Sequence, residues 1–223
     1  MSLINVFRNG DPLLIFAVVF SRMFVVFCCL PFHEVAHGWM AYKMGDSTAK
    51  NFGRLSLNPF KHLDLVGTIM IFLFGIGYAN HVPVNARNFK NPKKGMALTA
   101  LAGPVSNLLL AFVSVCFYYI LLLFPESTLL LYITMFFKYA AMVNVSLAVF
   151  NLFPIPPLDG SKIFAILIPS KIYFRYMKYE RYAMIALIVL LFTGLLDTPI
   201  GYITSFFMKI ISFIPNLLFN LIA

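Results

Sequence analysis

Apolar positions along the chain fall into long runs divided by short polar segments. Between Arg22 and Lys43 lie 20 residues whose only formally charged member is Glu34. That is one bilayer thickness of helix, with Gly45 placed to cap its end. Residues 13–20 continue this helix towards the opposite face, with Arg22 snorkelling. Residues 46–62 are polar, and the alternation in "GRLSLNP" predicts a short strand. A shorter apolar run at 65–79 is broken by Gly75 and Gly77. The basic segment "NHVPVNARNFKNPKKG" that follows reads as extended. Longer apolar runs occupy about 96–124, 128–153, 182–196 and 200–222, separated by "FPES", "NLFPIPPLDG" and "DTP".

Composition turns these runs into membrane spans. The chain has 223 residues, 61% hydrophobic and 11% charged, with mean hydropathy +0.88, too little polar surface for a dispersed soluble domain. The expected fold is an all-α polytopic membrane protein, a single transmembrane domain over 1–223. It comprises five to six transmembrane helices, a re-entrant or extended segment, and short β-strands. No small-residue cleavage site follows the first apolar run, so no cleaved leader is expected. Cys28, Cys29 and Cys116 lie in apolar stretches and read as small hydrophobes.

A net charge of +9 could suggest nucleic acid, but its placement argues for topology and against that partner. Three regions hold 13 of the 17 Lys and Arg residues: Lys43 to Lys61, Arg87 to Lys94, and Lys162, Lys171, Arg175, Lys178 and Arg181. Basic loops stay cytoplasmic, so all three share that side. They can do so only if 65–79 dips in and returns, giving five crossings; a full crossing would make six.

The chemistry sits in the first span. "HEVAH" at 33–37 places His33 and His37 four residues apart, on one helix face. That spacing suits two imidazoles on one Zn²⁺, with Glu34 beside it to take a proton from water. A charge at mid-membrane costs about 2.5–3.5 kcal/mol even on the lenient insertion scale, so Glu34 needs a reason to be there. A catalytic zinc takes three protein ligands and keeps one open position. Position 43, where one extended motif would put a third histidine, is Lys43. Glu126 and Glu180 sit in loops near membrane faces. Asp159 is the better candidate, because Pro154, Pro156 and Pro157 must unwind the helix before it. Irregular backbone at membrane depth is tolerated where it lines an enclosed cavity. Its depth agrees as well: His37 and His33 lie about 9–15 Å from the Lys43 end, and Asp159 stands just before the third basic cluster. The competing readings are interhelical hydrogen bonding by the histidines and helix capping by Asp159.

Together, "HEVAH", "AGPVSN" at 102–107 and "NLFPIPPLDG" at 151–160 resemble the site-2 protease family of intramembrane zinc metalloproteases. The resemblance covers about 23–165, with 166–223 forming C-terminal transmembrane helices. The segments at 45–68 and 81–95 look like the compact bacterial members without PDZ or CBS domains. The resemblance implies one Zn²⁺ per chain on His33, His37 and Asp159, with Glu34 as base. It implies cleavage of transmembrane protein or peptide substrates in a bacterial cytoplasmic membrane, with the active site on the cytoplasmic side. Asn107 and Asn151 match polar positions near the site. They either hold a substrate carbonyl or its oxyanion or hydrogen-bond between helices. Extended segments near 53–58 and 81–86 could offer a strand edge to an unwound substrate. His62 steadies the 65–79 segment or touches the site, and His81 has no assigned role. A metal transporter and a proteolytically silent zinc-binding scaffold are the alternative classes.

Overall fold

The computed structural model describes residues 6–8, 10–169 and 179–222. Lys171, Arg175 and Lys178 of the third basic cluster lie outside the described residues. Helix α1 spans Pro12–Lys43. It starts where Asp11 accepts the Leu13 N–H at 3.0 Å and Pro12 fills the first turn. It ends at Gly45, whose φ of 109° suits only glycine. A one-turn α2 (Thr48–Asn51) follows, then α3 (Leu65–Phe74), which Asp64 caps by accepting the Gly67 N–H. Helix α4 (Pro92–Leu121) starts from Asn91 and α5 (Thr128–Asn151) from Ser127, each cap accepting an N–H three residues on. The short α6 is Asp159–Phe164, α7 is Glu180–Phe192 and α8 is Asp197–Ile222.

Two expectations are corrected here. Among the described residues four helices, α1, α4, α5 and α8, are long and apolar enough to cross a membrane, against the five to six expected. The run at 182–196 falls short because α7 has 13 residues, about 20 Å of rise against the roughly 30 Å of a hydrocarbon core. A left-handed Gly194 then turns the chain into α8. No strand forms among the described residues either. The segments read as extended at 53–58 and 81–86 are non-helical up to the 3-10 turn that begins at Ala86, but a strand also needs a ladder. Side chains hold the groups a ladder would use. Arg54 Nη2 donates to the Asn80 and His81 carbonyls at 2.7 and 3.3 Å. Glu34 accepts the Val82 N–H, and Lys61 Nζ donates to the Gly53 carbonyl.

The 65–79 run does return on itself. Gly75 ends α3 in the left-handed region, and the Asn80 N–H donates to the His62 carbonyl at 2.7 Å, closing the loop. A Cβ at Gly67 would overlap the Tyr78 carbonyl, so glycine there lets the two limbs touch. Arg22, buried in α1, donates to the Phe72 carbonyl at the α3 C-terminus. One apolar cluster joins Val25, Val26, Cys29 and Leu30 of α1 to Ile71 and Leu147. A second joins Phe150 and Leu158 to Met70, Leu187, Leu191 and Ile200. The segment carrying Asp159 is thereby packed against α3, α7 and α8.

Candidate metal centre

Pro31 has no N–H for the Phe27 carbonyl, and the turn before it slackens accordingly. Val25–Cys29 is a π-helical turn in which the Leu30 N–H reaches back to the Val25 carbonyl. Such a turn inserts one residue and re-aims every side chain after it. The re-aimed helix presents His33, Glu34 and His37 inward, at 3, 1 and 4% exposure. Asp159 meets them from the far side, at the first position of α6 and 1% exposed. Gly160 permits the tight approach, since a Cβ there would overlap the Leu152 and Phe153 carbonyls. Helix α4 closes the third wall. A Cβ at Gly103 would overlap both imidazoles.

Three donor atoms converge. His33 Nε2 lies 3.0 Å from His37 Nε2, and Asp159 Oδ2 lies 3.3 and 3.0 Å from them. A tetrahedral zinc with bonds of about 2.0–2.1 Å spaces its ligand atoms by about 3.3 Å, so the triangle fits such an ion. The lone pairs make the stronger argument. His37 Nδ1 lies 2.7 Å from the Thr99 carbonyl, which can only accept, so the ring hydrogen of neutral His37 sits on Nδ1. His37 Nε2 is then a bare acceptor facing the Asp159 carboxylate. A cation held between these acceptors would satisfy all three at once. His33, His37 and Asp159 are the group of three or more metal-capable side chains found among the described residues.

Glu34 stands beside the triangle without joining it. Its Oε2 accepts the Val82 N–H at 3.0 Å. A cavity of about 210 Å³, lined by His37, His81, Val82, Thr99, Asp159 and Lys162 among others, opens against the donors. Lys162 Nζ sits 3.5 Å from Asp159 Oδ1. Burial holds the His81 imidazole below its ordinary value, with Glu34 and Asp159 pulling the other way and Lys162 adding to the fall.

The remaining candidates stand apart. Asn107, one turn past Gly103 on α4, is 1% exposed and neither Nδ2 nor Oδ1 finds a partner. Asn151 Nδ2 donates to the Leu147 carbonyl of its own helix. Neither contributes an atom to the triangle. His62 is fully buried, its Nε2 2.7 Å from the Ser56 carbonyl, away from the donors. The Thr99 carbonyl and the Val82 N–H escaped sequence reading because backbone groups carry no residue-type signal. Lys162 and His81 had one available: Lys162 stands two residues past "NLFPIPPLDG", and His81 opens the 81–86 segment.

The sequence pattern of peptidase family M50 matches residues 120–195, a stretch that contains Asn151 and Asp159 and leaves out "HEVAH". The chain is 43% identical over 166 residues to "Putative zinc metalloprotease YwhC" of Bacillus subtilis (strain 168), across 73% of this chain and 76% of that protein. It is 32% identical over 133 residues to "Putative zinc metalloprotease MJ0611" of Methanocaldococcus jannaschii, across 59% and 62%. It is 28% identical over 163 residues to "Putative zinc metalloprotease Rip2" of Mycolicibacterium smegmatis, across 66% and 55%. No solved structure matches the chain.

Proposed function

We propose, on the premise that the chain belongs to peptidase family M50, the site-2 proteases, that it hydrolyses peptide bonds of membrane-embedded substrates at the centre built by His33, His37 and Asp159. It is an integral membrane zinc metalloprotease. The observation that carries the reading is the crowding of three acceptor atoms within 3.0–3.3 Å beside an anchored carboxylate. His33, His37 and Asp159 would hold one Zn²⁺ per chain. When bound, the ion acidifies water and polarises a carbonyl.

The chain's own residues do the rest. The Val82 N–H fixes Glu34 through Oε2 and leaves Oε1 to act. Glu34 takes a proton from the attacking water as hydroxyl adds to the scissile carbonyl carbon. It returns that proton to the amide nitrogen as the C–N bond breaks. His37 is held in orientation and tautomer by the Thr99 carbonyl, the outer-shell contact that metal-binding histidines use. The 210 Å³ cavity has room for several waters at about 30 Å³ each. Lys162, a part-exposed lining residue, belongs to the basic side read as cytoplasmic, so water reaches the site from the cytoplasm. A bacterial cytoplasmic membrane fits this orientation. The catalytic core runs over about 23–165 and the later helices complete the same domain, with Leu187 and Leu191 in the cluster that holds Leu158.

The test is a co-expressed single-span membrane substrate, with zinc measured in the purified chain. Glu34→Gln should lose cleavage by at least about 100-fold and keep its zinc. Equal cleavage in both would remove Glu34 from the reaction. A chain that binds zinc and never cleaves would favour the silent scaffold.

A further inference from the structure

We propose that His81 is a catalytic residue of this reaction, presenting a ring N–H to the carbonyl oxygen of the scissile peptide. The inference rests on the protease reading above and assigns one more role within it.

The hydrogen bond that His81 makes among the described residues is accepted by its backbone carbonyl, from Arg54, which leaves the ring uncommitted, and the ring stands outside the donor triangle. Neither structure nor metal accounts for it. Yet its backbone is held firmly. Arg54 grips the carbonyls of Asn80 and His81, and the next residue, Val82, gives its N–H to Glu34. The His81 Cα is therefore fixed relative to the general base by one peptide unit.

Its side chain lines the same cavity as His37 and Asp159. It is close enough to Glu34, Asp159, His37 and Lys162 to feel the charge of each. A partly buried polar ring on a residue that lines the reaction cavity, with its hydrogen uncommitted, is available as a donor. In peptide hydrolysis the atom that gains negative charge is the carbonyl oxygen. A preorganised N–H aimed at it contributes more in the transition state than in the ground state. Neutral imidazole carries one N–H and imidazolium two, so the role does not depend on protonation.

Purified full-length chain, loaded with zinc, should be assayed with a transmembrane peptide substrate as wild type, Glu34→Gln, His81→Ala and His81→Gln. His81→Ala should lower kcat by about 10²–10³ with zinc content unchanged. His81→Gln keeps an amide N–H and should recover part of the rate. A readout independent of turnover compares two uncleavable peptides: a phosphinate, which presents oxygens where the tetrahedral carbon would be, and a reduced amide, which has no oxygen there. His81→Ala should weaken the phosphinate by at least tenfold and leave the reduced amide unmoved. Wild-type kcat in His81→Ala, equal weakening of both peptides, or loss of zinc would each overturn the assignment. If wild type and Glu34→Gln cleave alike, the protease reading itself fails and His81 loses its substrate.

Discussion

Gly103→Ala tests the metal centre without replacing a ligand. Helix α4 crosses so close to α1 that a Cβ at position 103 would lie 2.6 Å from His33 Cε1, with the His37 ring closer still. Ordinary carbon contacts begin at about 3.5 Å, so backbone or rings must move by roughly 1 Å. Metal sites tolerate about 0.2 Å in their ligand distances, so the triangle cannot absorb that shift. Overpacking of this kind costs about 1–3 kcal/mol. If the metal-free chain relaxes by swinging the imidazoles away, the strain returns only when they are drawn back onto the ion. Zinc affinity then falls by the same free energy, about 5–150-fold. The assay is a competition titration with a chromophoric chelator on purified chain, with thermal unfolding followed in parallel. Gly201→Ala is the control, since nothing lies within 4 Å of the added Cβ. Gly103→Ala binding zinc within twofold of wild type would show that α4 does not confine the histidines.

Val82→Pro removes the N–H that holds Glu34 and should abolish cleavage while zinc stays bound; Val82→Ala, which keeps the N–H, should cleave normally, and a cleaving proline variant would refute the anchor. Asp46, fully buried, ties the turn after α1 to the 85–88 segment by accepting from the Thr48 N–H, the Asn85 N–H and the Asn88 amide. Burial pushes its carboxyl up, but these donors and the Thr48 hydroxyl outweigh it and leave it below its ordinary value of 3.8. A depressed folded-state value means that stability is fully present above 3.8 and is lost as pH falls through the lower value. Asp46→Asn should therefore cost about 1.5–3 kcal/mol at pH 7. The gap from wild type should narrow as pH drops below 3.8; a gap constant with pH in thermal unfolding would refute the charge account.

The donor triangle was legible because its requirements are local. Two histidines at i and i+4 share a helix face whatever surrounds them, and three prolines ahead of Asp159 unwind any helix. Charge placement favoured a return of 65–79 over a crossing and left six crossings open; the structure closes that segment back onto His62. What failed needed knowledge of partners. The alternation in "GRLSLNP" is compatible with a strand, but only a neighbouring strand could have made one, and Arg54, Glu34 and Lys61 hold the backbone groups instead. The 182–196 run is apolar enough for a span, but its length, about 22 Å as helix, is short of a hydrocarbon core, and the left-handed Gly194 closes it. The same blindness hid the site's fine structure. Which hydrogen His37 carries is decided by a carbonyl of α4, 62 residues away in the chain. How Glu34 is aimed depends on an N–H that any residue but proline supplies. The type of chemistry is thus written in side chains, while its geometry is set by backbone groups that become donors and acceptors at the site only when the fold delivers them.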